Sequence, residues 1–536
     1  MKKNVSQQYK PFLVSRTALY GALLTGVLGF LMHPFVVFGY RFPDLGFITW
    51  FFLVPLFLGI HRHKFWHKFV LCFAAGTIMG YGKFYWLITA MQKFGGLNFF
   101  ESFGALTFMC LFLGLLFGFF LALSSWTNHM TKIPLLFIVP LFMTSHDVLL
   151  HYFPFNGFPW GLPPYALGEW LAFFQWVDHT GLFGLSLFIY LINGLIAGSF
   201  LLFIHRRQLD KAIARFVVMV VLVVLSLFAS SLASQQYEKN KTTVKHINLG
   251  LVQGNIPQDK KWDPYFAQDI LNNYFALTHK AIKDGAQLVI WPETAYPFNL
   301  QYPNLFQEQF LNKEKLMTPL LIGAFVTERG DDALHWYNSV VQVNTDASMP
   351  RIYRKMHLVP FGEYLPLRRL LSFVPTITRA VGELTAGHQF DMFTFDDLSI
   401  GSLICFEDTF PRYARQFTRA GAQLLINYTN DAWYGNSSAQ HQHLVFSQFR
   451  ALENRRFLAR ATNSGMTAII TPRGEVLDKL DPFKESFLFQ NIKLDVANSY
   501  YTQHGDTWVF TIVILSGLLF VYTIFKRLSG PVKIEF

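Results

Sequence analysis

Cys405 stands where a chain can do covalent chemistry. It closes the apolar run Ile400–Ile404 and is followed by Phe406, Glu407 and Asp408. A strand that ends in Cys and turns into a polar segment presents the thiol at a sheet edge, where α/β folds place their sites. Two other strand ends carry matching groups. The run VIWPET puts Glu293 directly after a strand and a Trp-Pro pair, and the run YRKMHLVPFGEYLP puts Lys355 after a short strand and Glu363 eight residues later. A carboxylate can take a thiol proton as general base, and an ammonium can stabilise both a thiolate and an oxyanion. Glu, Lys and Cys thus make a complete acyl-transfer set. Singly, each has a plainer reading: Cys405 as a small core residue, and Glu293 or Lys355 as solvated surface.

The other candidates are weaker. Cys72 and Cys110 lie inside long apolar runs, so Cys405 is left without a disulfide partner in its own part of the chain. His441-Gln442-His443 invites a metal reading, but no Cys or carboxylate stands at ligand spacing, so no metal is expected. Asp431 and Trp433 are expected to brace the floor of the site. No phosphate-binding glycine loop is present. No cofactor is expected, and nothing points to nucleic acid.

The elements that must position these residues alternate in type. Strands are expected at Ile247–Gln253, Gln287–Trp291, Leu320–Val326, Ser339–Val343, Ser399–Ile404 and Gln423–Asn427, with helices at about 265–284, 410–420 and 440–459. Alternation of this kind predicts an α/β domain built on sheets covered by helices.

That domain is only half the protein. Of 536 residues, 52% are hydrophobic and 15% charged, against about 25% charged in ordinary soluble domains. This excludes a disordered chain, a disulfide scaffold and a purely soluble enzyme. Seven apolar runs of roughly spanning length lie at 15–33, 44–60, 68–91, 102–125, 133–153, 181–205 and 215–234, and an eighth at 507–525. The expected division is a seven-helix membrane domain over 1–234, an extracytoplasmic catalytic domain over 235–506, and a C-terminal helix with its tail over 507–536. Lys and Arg concentrate at the N-terminus, around Arg62–Lys68, at Lys132, around Arg206–Arg215 and after Lys526. These flanks hold 15 basic residues against Asp210 and Glu535, so the rest of a chain of net charge +11 sums to −2. The bias puts both termini in the cytoplasm and the 235–506 domain outside. The first run lacks a small-residue cleavage site and is read as an uncleaved anchor.

WPET around Glu293, RKMHLVPFGEYLP around Lys355 and ICFED around Cys405 resemble the nitrilase, or carbon-nitrogen hydrolase, superfamily. Within it, VQGNIPQDKKW (Val252 to Trp262), NDAWYG (Asn430 to Gly435) and the seven-plus-one helix layout resemble the membrane-embedded apolipoprotein N-acyltransferase family. The resemblance implies a four-layer αββα sandwich on a multi-pass membrane base in the bacterial inner membrane. It also implies transfer of an acyl chain from a glycerophospholipid to the α-amino group of the N-terminal cysteine of a diacylated apolipoprotein, through a thioester and by a monomeric enzyme. Carried over by position, Cys405 is the nucleophile, Glu293 the general base and Lys355 the oxyanion partner. Glu363 and Glu407 support the site, and Trp262 contacts or gates substrate. Phe406 stands where the family often has Tyr, which keeps the ring and loses the hydroxyl.

Such a thioester must be shielded from water. The segment 361–376, with Arg368-Arg369 among Leu, Phe and Pro, is read as an interfacial lid or a packed amphipathic helix. The loop Pro154–Tyr165 is read as an interfacial aromatic belt, with a lipid portal as its alternative. Two competing functions remain open: a membrane-anchored amidase or thioesterase that uses water as acceptor, and a non-catalytic scaffold.

Overall fold

A computed structural model of the chain describes residues 15–206, 208–299, 317–330, 333–346, 348–368 and 383–529. Each apolar run forms helix. In chain order these are Arg16–Leu31, Gly46–Trp50 with Val54–Ile60, Phe65–Phe84, Phe99–Thr131, Leu135–Leu150, Val177–Arg206, Leu209–Asn240 and Val509–Ser529. Among the described residues four of them are long and apolar enough to cross a membrane: Phe99–Thr131, Val177–Ile204, Leu209–Asn240 and Val509–Ser529. The helices Arg16–Leu31, Gly46–Ile60 and Leu135–Leu150 are shorter.

Small residues let the helices approach. At Gly114 and Gly118 a Cβ would fall 2.8 Å from the backbone nitrogen of Thr77 and 2.6 Å from that of Phe73, so Phe99–Thr131 lies directly on Phe65–Phe84. By contrast, Leu209–Asn240 turns Phe216, Val220, Val224 and Phe228 outward. An apolar surface of that extent fits a lipid solvent. The expected run 68–91 is not one helix. It stops at Phe84, and a separate short helix, Leu87–Lys93, follows. The break seats Trp86, 2% exposed, against Trp160 and Tyr434, whose ring centroids lie 5.2 and 4.6 Å away.

Helix Leu209–Asn240 feeds strand Thr242–Gln253, the start of the second half of the molecule. Two six-stranded sheets form there. In the first, the order is Ser486–Val496, Thr242–Gln253, Leu288–Ile290, Leu320–Arg329, Leu334–Val343 and Ile352–Arg354, with the middle pairings around Leu288–Ile290 parallel. In the second, the order is Val476–Lys479, Ala468–Ile470, Phe457–Thr462, Leu424–Thr429, Leu398–Ile404 and Phe393–Phe395, again with a parallel centre. The period-two alternation of strands divides the side chains. Leu249, Leu251, Ile290 and Leu321 of the first sheet share one core with Ile400, Leu424, Ile426 and Leu458 of the second. Val289, Leu320 and Ile322 point the other way, onto Ile270, Leu271 and Tyr274 of helix Ala267–Lys283. Helices Pro411–Arg419 and Ser438–Asn454 follow strands of the second sheet.

All six expected strands form. The expected helix at 440–459 runs Ser438–Asn454 instead, and Phe457–Thr462 is a fully buried strand. Arg455 makes the break, with φ at +50° in the left-handed region. Its guanidinium also ties the two halves of the chain together. Nε donates to Asp178 Oδ2 at 2.8 Å, Nη1 to Gln175 Oε1 at 2.7 Å and Nη2 to the Gln175 carbonyl at 3.0 Å. The side chains of Arg455 and Asp178 are 1% and 7% exposed. Removing one partner of a buried pair strands the other charge. Arg455→Ala is therefore expected to lower stability by about 3 kcal/mol, read as a drop in the thermal unfolding midpoint of the detergent-solubilised protein; an unchanged midpoint would contradict this anchoring.

Candidate active site

Three strand ends converge. Glu293 lies just beyond Leu288–Ile290, after Trp291 and Pro292, and the chain turns through Thr294 at φ +47°. The neighbouring strand comes so close that only glycine fits: a Cβ on Gly323 would lie 2.2 Å from the Pro292 carbonyl oxygen and 2.7 Å from Glu293 Cα. Glu293 Oε1 accepts from Asn338 Nδ2 at 2.8 Å, and Oε2 accepts from the Asn430 backbone N–H at 2.9 Å.

Lys355 follows strand Ile352–Arg354 and is 1% exposed. Its Nζ donates to Glu363 Oε1 at 2.8 Å and reaches Glu293 Oε1 at 3.5 Å, while Asn338 Nδ2 also donates to Glu363 Oε1 at 3.0 Å. Burial works against the ammonium charge, but Glu363, Glu293 and Cys405 outweigh it and raise its pKa. Lys355 is therefore a fixed cation.

Cys405 ends strand Leu398–Ile404 and opens the one-turn helix Cys405–Thr409. Its φ is +51°, a left-handed conformation that a side chain with a Cβ disfavours. Sharp strand-to-helix turns of this kind lift a nucleophile out of the sheet. Two donors hold the strained carbonyl, Asn427 Nδ2 at 3.2 Å and His443 Nε2 at 3.3 Å. Burial pushes the thiol pKa up; the Glu293 charge pushes it further, against the pull of Lys355. The resting sulfur therefore keeps its proton, so its use as a nucleophile would need a base.

His443 belongs to a buried polyion beneath this turn. Its Nδ1 donates to Asp431 Oδ1 at 2.8 Å and its Nε2 to Asp408 Oδ1 at 3.0 Å, with all three side chains fully buried. Arg460 Nη2 donates to Asp431 Oδ2 at 3.0 Å and Nη1 to Asn427 Oδ1 at 2.8 Å. Both imidazole nitrogens face acceptors, which calls for the imidazolium. Burial and Arg460 oppose that charge, but Asp408 and Asp431 override them and raise the pKa to about 9.

The remaining expected residues fall as follows. Glu407 is fully buried and joins the Cys405 turn to the segment after Lys355. The Phe406 ring packs among Trp160, Phe158, Phe410 and His357, stacked on Trp160 at 6.3 Å. Trp262 is 42% exposed and stacks on Phe325 at 5.1 Å. Asp431 does brace the site, whereas Trp433 sits edge-on to Phe94 and is half-exposed. His441 and His443 do not share a site, and no metal-binding cluster of three His, Cys, Asp or Glu occurs among the described residues. Residues 369–376 of the expected lid lie outside the described residues; Phe361 meets Phe155 of the loop Pro154–Tyr165 at 5.7 Å, and Arg368 pairs with Glu383. Sequence reasoning missed Asn338, Asn427 and Arg460, whose partners are distant in the chain. The only available signal was for His443, which stands in the HQH run set aside as a metal motif.

Residues 248–502 match the Carbon-nitrogen hydrolase family, and residues 15–195 match the Apolipoprotein N-acyltransferase N-terminal domain. The apolipoprotein N-acyltransferase of Geobacter metallireducens is 32% identical over 497 residues, covering 92% of this chain and 92% of its own length. The apolipoprotein N-acyltransferase of Borreliella burgdorferi is 28% identical over 520 residues, covering 92% and 93%.

The buried imidazolium has a pH signature. Its folded pKa, about 9, lies above the ordinary 6.5, so its contribution is complete below about 6.5 and is lost as pH rises through 9. The fall in unfolding midpoint on the alkaline side of neutrality is expected to be shallower in His443→Asn than in wild type. Parallel pH profiles for the two proteins would mean that His443 is uncharged.

Proposed function

The chain belongs to the apolipoprotein N-acyltransferase family, and from that premise we propose that Cys405, Glu293 and Lys355 carry out its acyl transfer. The observation that carries this reading is the Lys355 ammonium, held between the Glu293 and Glu363 carboxylates and electrostatically coupled to the Cys405 thiol. The enzyme is an N-acyltransferase. The donor is a membrane glycerophospholipid, and the acceptor is the α-amino group of the N-terminal cysteine of a diacylated apolipoprotein.

The first half-reaction starts from the protonated thiol. Glu293 takes the Cys405 proton, the sulfur attacks the ester carbonyl carbon, and Lys355 stabilises the oxyanion. The carbon–oxygen ester bond breaks, the leaving alkoxide recovers the proton from Glu293, and a lysophospholipid departs. In the second half, the acceptor amine attacks the thioester carbon and gives a proton to Glu293. The carbon–nitrogen bond forms, the carbon–sulfur bond breaks, and the thiolate is reprotonated. Glu363 fixes Lys355, Glu407 fixes the Cys405 turn, and the half-exposed Trp262 contacts substrate at the rim.

The same reading extends to the whole chain. Residues 1–234 form a membrane domain of seven spanning helices, 235–506 a four-layer αββα catalytic domain, and 507–536 an eighth span with its tail. The two sheets sharing one core support the layered arrangement. The distribution of Lys and Arg supports cytoplasmic termini and a catalytic domain on the periplasmic side of the inner membrane.

Incubating the purified protein with acyl-labelled phospholipid alone is expected to leave one acyl group on Cys405, detectable by intact and peptide mass spectrometry. Adding a diacylglyceryl lipopeptide is expected to discharge it as an amide. Glu293→Gln and Lys355→Met are each expected to slow labelling roughly 10²- to 10⁴-fold, and Cys405→Ala to abolish it. Release of free fatty acid without amide product would instead make water the acceptor.

A further inference from the structure

The run after the first strand delivers a second lysine to the site. Lys260 and Lys261 both follow a turn closed on the Pro257 carbonyl. Lys260 lies over the Phe266 ring, Trp262 is 42% exposed, and Lys261 between them is buried, 2% exposed. The turn is locked from below: Asn430 Nδ2 donates to Gln258 Oε1 at 2.8 Å, and Asn463 Nδ2 donates to the Ile256 carbonyl at 2.8 Å.

Lys261 Nζ donates to the main-chain carbonyl oxygen of Glu293 at 3.0 Å. Among the described residues its ammonium makes no ion pair within 4.0 Å and has one further contact, the Trp262 ring at 5.6 Å. A buried cation with no carboxylate against it is strongly disfavoured. Such a group is retained where its charge has work to do. Lys355 differs, because two carboxylates already neutralise it. At neutral pH the carboxylates of Glu293 and Glu363 stand against the ammonium groups of Lys355 and Lys261, and Lys261 is the cation with no carboxylate paired to it.

We propose that Lys261 is a positioning residue of the acyl transfer: it fixes the backbone of the general base through the Glu293 carbonyl and is the second cation against which negative charge moves from Glu293 to the sulfur and then to the oxyanion. This rests on the assignment of Glu293 as base and Cys405 as nucleophile. The titratable groups that face Lys261 are Glu293 and Cys405; burial lowers its pKa to about 8 and those two hold it up. Its charge is thus present at neutral pH and is lost as pH rises through about 8.

The test uses the full-length protein in detergent, with acyl-labelled phospholipid, and follows Cys405 acylation by rapid-quench mass spectrometry across pH 6 to about 10. Wild type is expected to lose acylation rate along a limb near pH 8. Lys261→Arg, always charged, is expected to stay within about tenfold at neutral pH and to move that limb upward. Lys261→Met is expected to be slowed about 10²-fold, to lack the limb, and to change the rate at saturating donor more than the half-saturating concentration. A Lys261→Met enzyme within twofold of wild type, or a Lys261→Arg profile that overlays wild type, would overturn the proposal. Failure of wild type itself to label Cys405 would instead remove the assignment on which it rests.

Discussion

The arrangement depends on one buried carboxylate. Glu407 Oε2 accepts from the Ile404 N–H at 2.7 Å, at the end of the strand that carries the cysteine. Its Oε1 accepts from the backbone N–H groups of Met356 at 2.7 Å and His357 at 3.1 Å, directly after Lys355, and Tyr353 OH donates to both oxygens. Cys405 and Lys355 belong to different sheets, so nothing within either sheet fixes the distance between them. Glu407 does so with short donors drawn from both. Burial outweighs the pull of the backbone donors and Lys355 and leaves its pKa raised to about 7. Hydrogen bonds to an ionised acceptor are roughly twice as strong as neutral ones, so the donors recover part of the desolvation cost and hold the side chain in place as a brace.

A second constraint comes from the membrane side. Trp160, on the loop between Leu135–Leu150 and Val177–Arg206, donates Nε1 to Gln442 Oε1 at 2.8 Å and stacks on Phe406, the residue after Cys405. Tyr165 donates its hydroxyl to the Thr409 carbonyl at 3.2 Å and packs edge-on against Phe446. The Cys405 turn is therefore pressed between a charged network within the sheet domain and an aromatic seam from the helical half. The missing hydroxyl at Phe406 fits this setting, since its ring lies among other rings.

How much of this was legible in the sequence follows from the range of each interaction. Glu293, Lys355 and Cys405 stood out because each follows its own apolar strand and turn chemistry. Phe457–Thr462 could not be recognised as a strand. It overlaps the end of the expected helix at 440–459, and its Arg460 and the Arg455-Arg456 pair before it are buried and bonded to groups far away in the chain. Strand Ser486–Val496 was missed for the opposite reason: it lies at the sheet edge with a half-exposed pattern that alternates weakly. Trp433 was placed on the site floor with Asp431 because the two are near in sequence. The one-turn helix Asp431–Tyr434 sends them in different directions.

A chain with 15% charged residues still buries Glu293, Lys261, Lys355, Glu407, Asp408, Asp431, His443 and Arg460 around one cysteine. A folding argument alone would remove them, since replacing buried ion pairs with apolar groups is often neutral or stabilising. They make sense as preorganisation. Fixed charges act strongly in a low-dielectric interior and, on the proposed mechanism, need not reorganise as the proton leaves sulfur and the oxyanion forms. The same burial would shield the proposed thioester at Cys405. Water is abundant but weakly nucleophilic, and an amine is the stronger attacker. On the proposed mechanism, charge buried at the cysteine and apolar surface wrapped around it answer one requirement: the acyl group must stay on sulfur long enough to meet an amine.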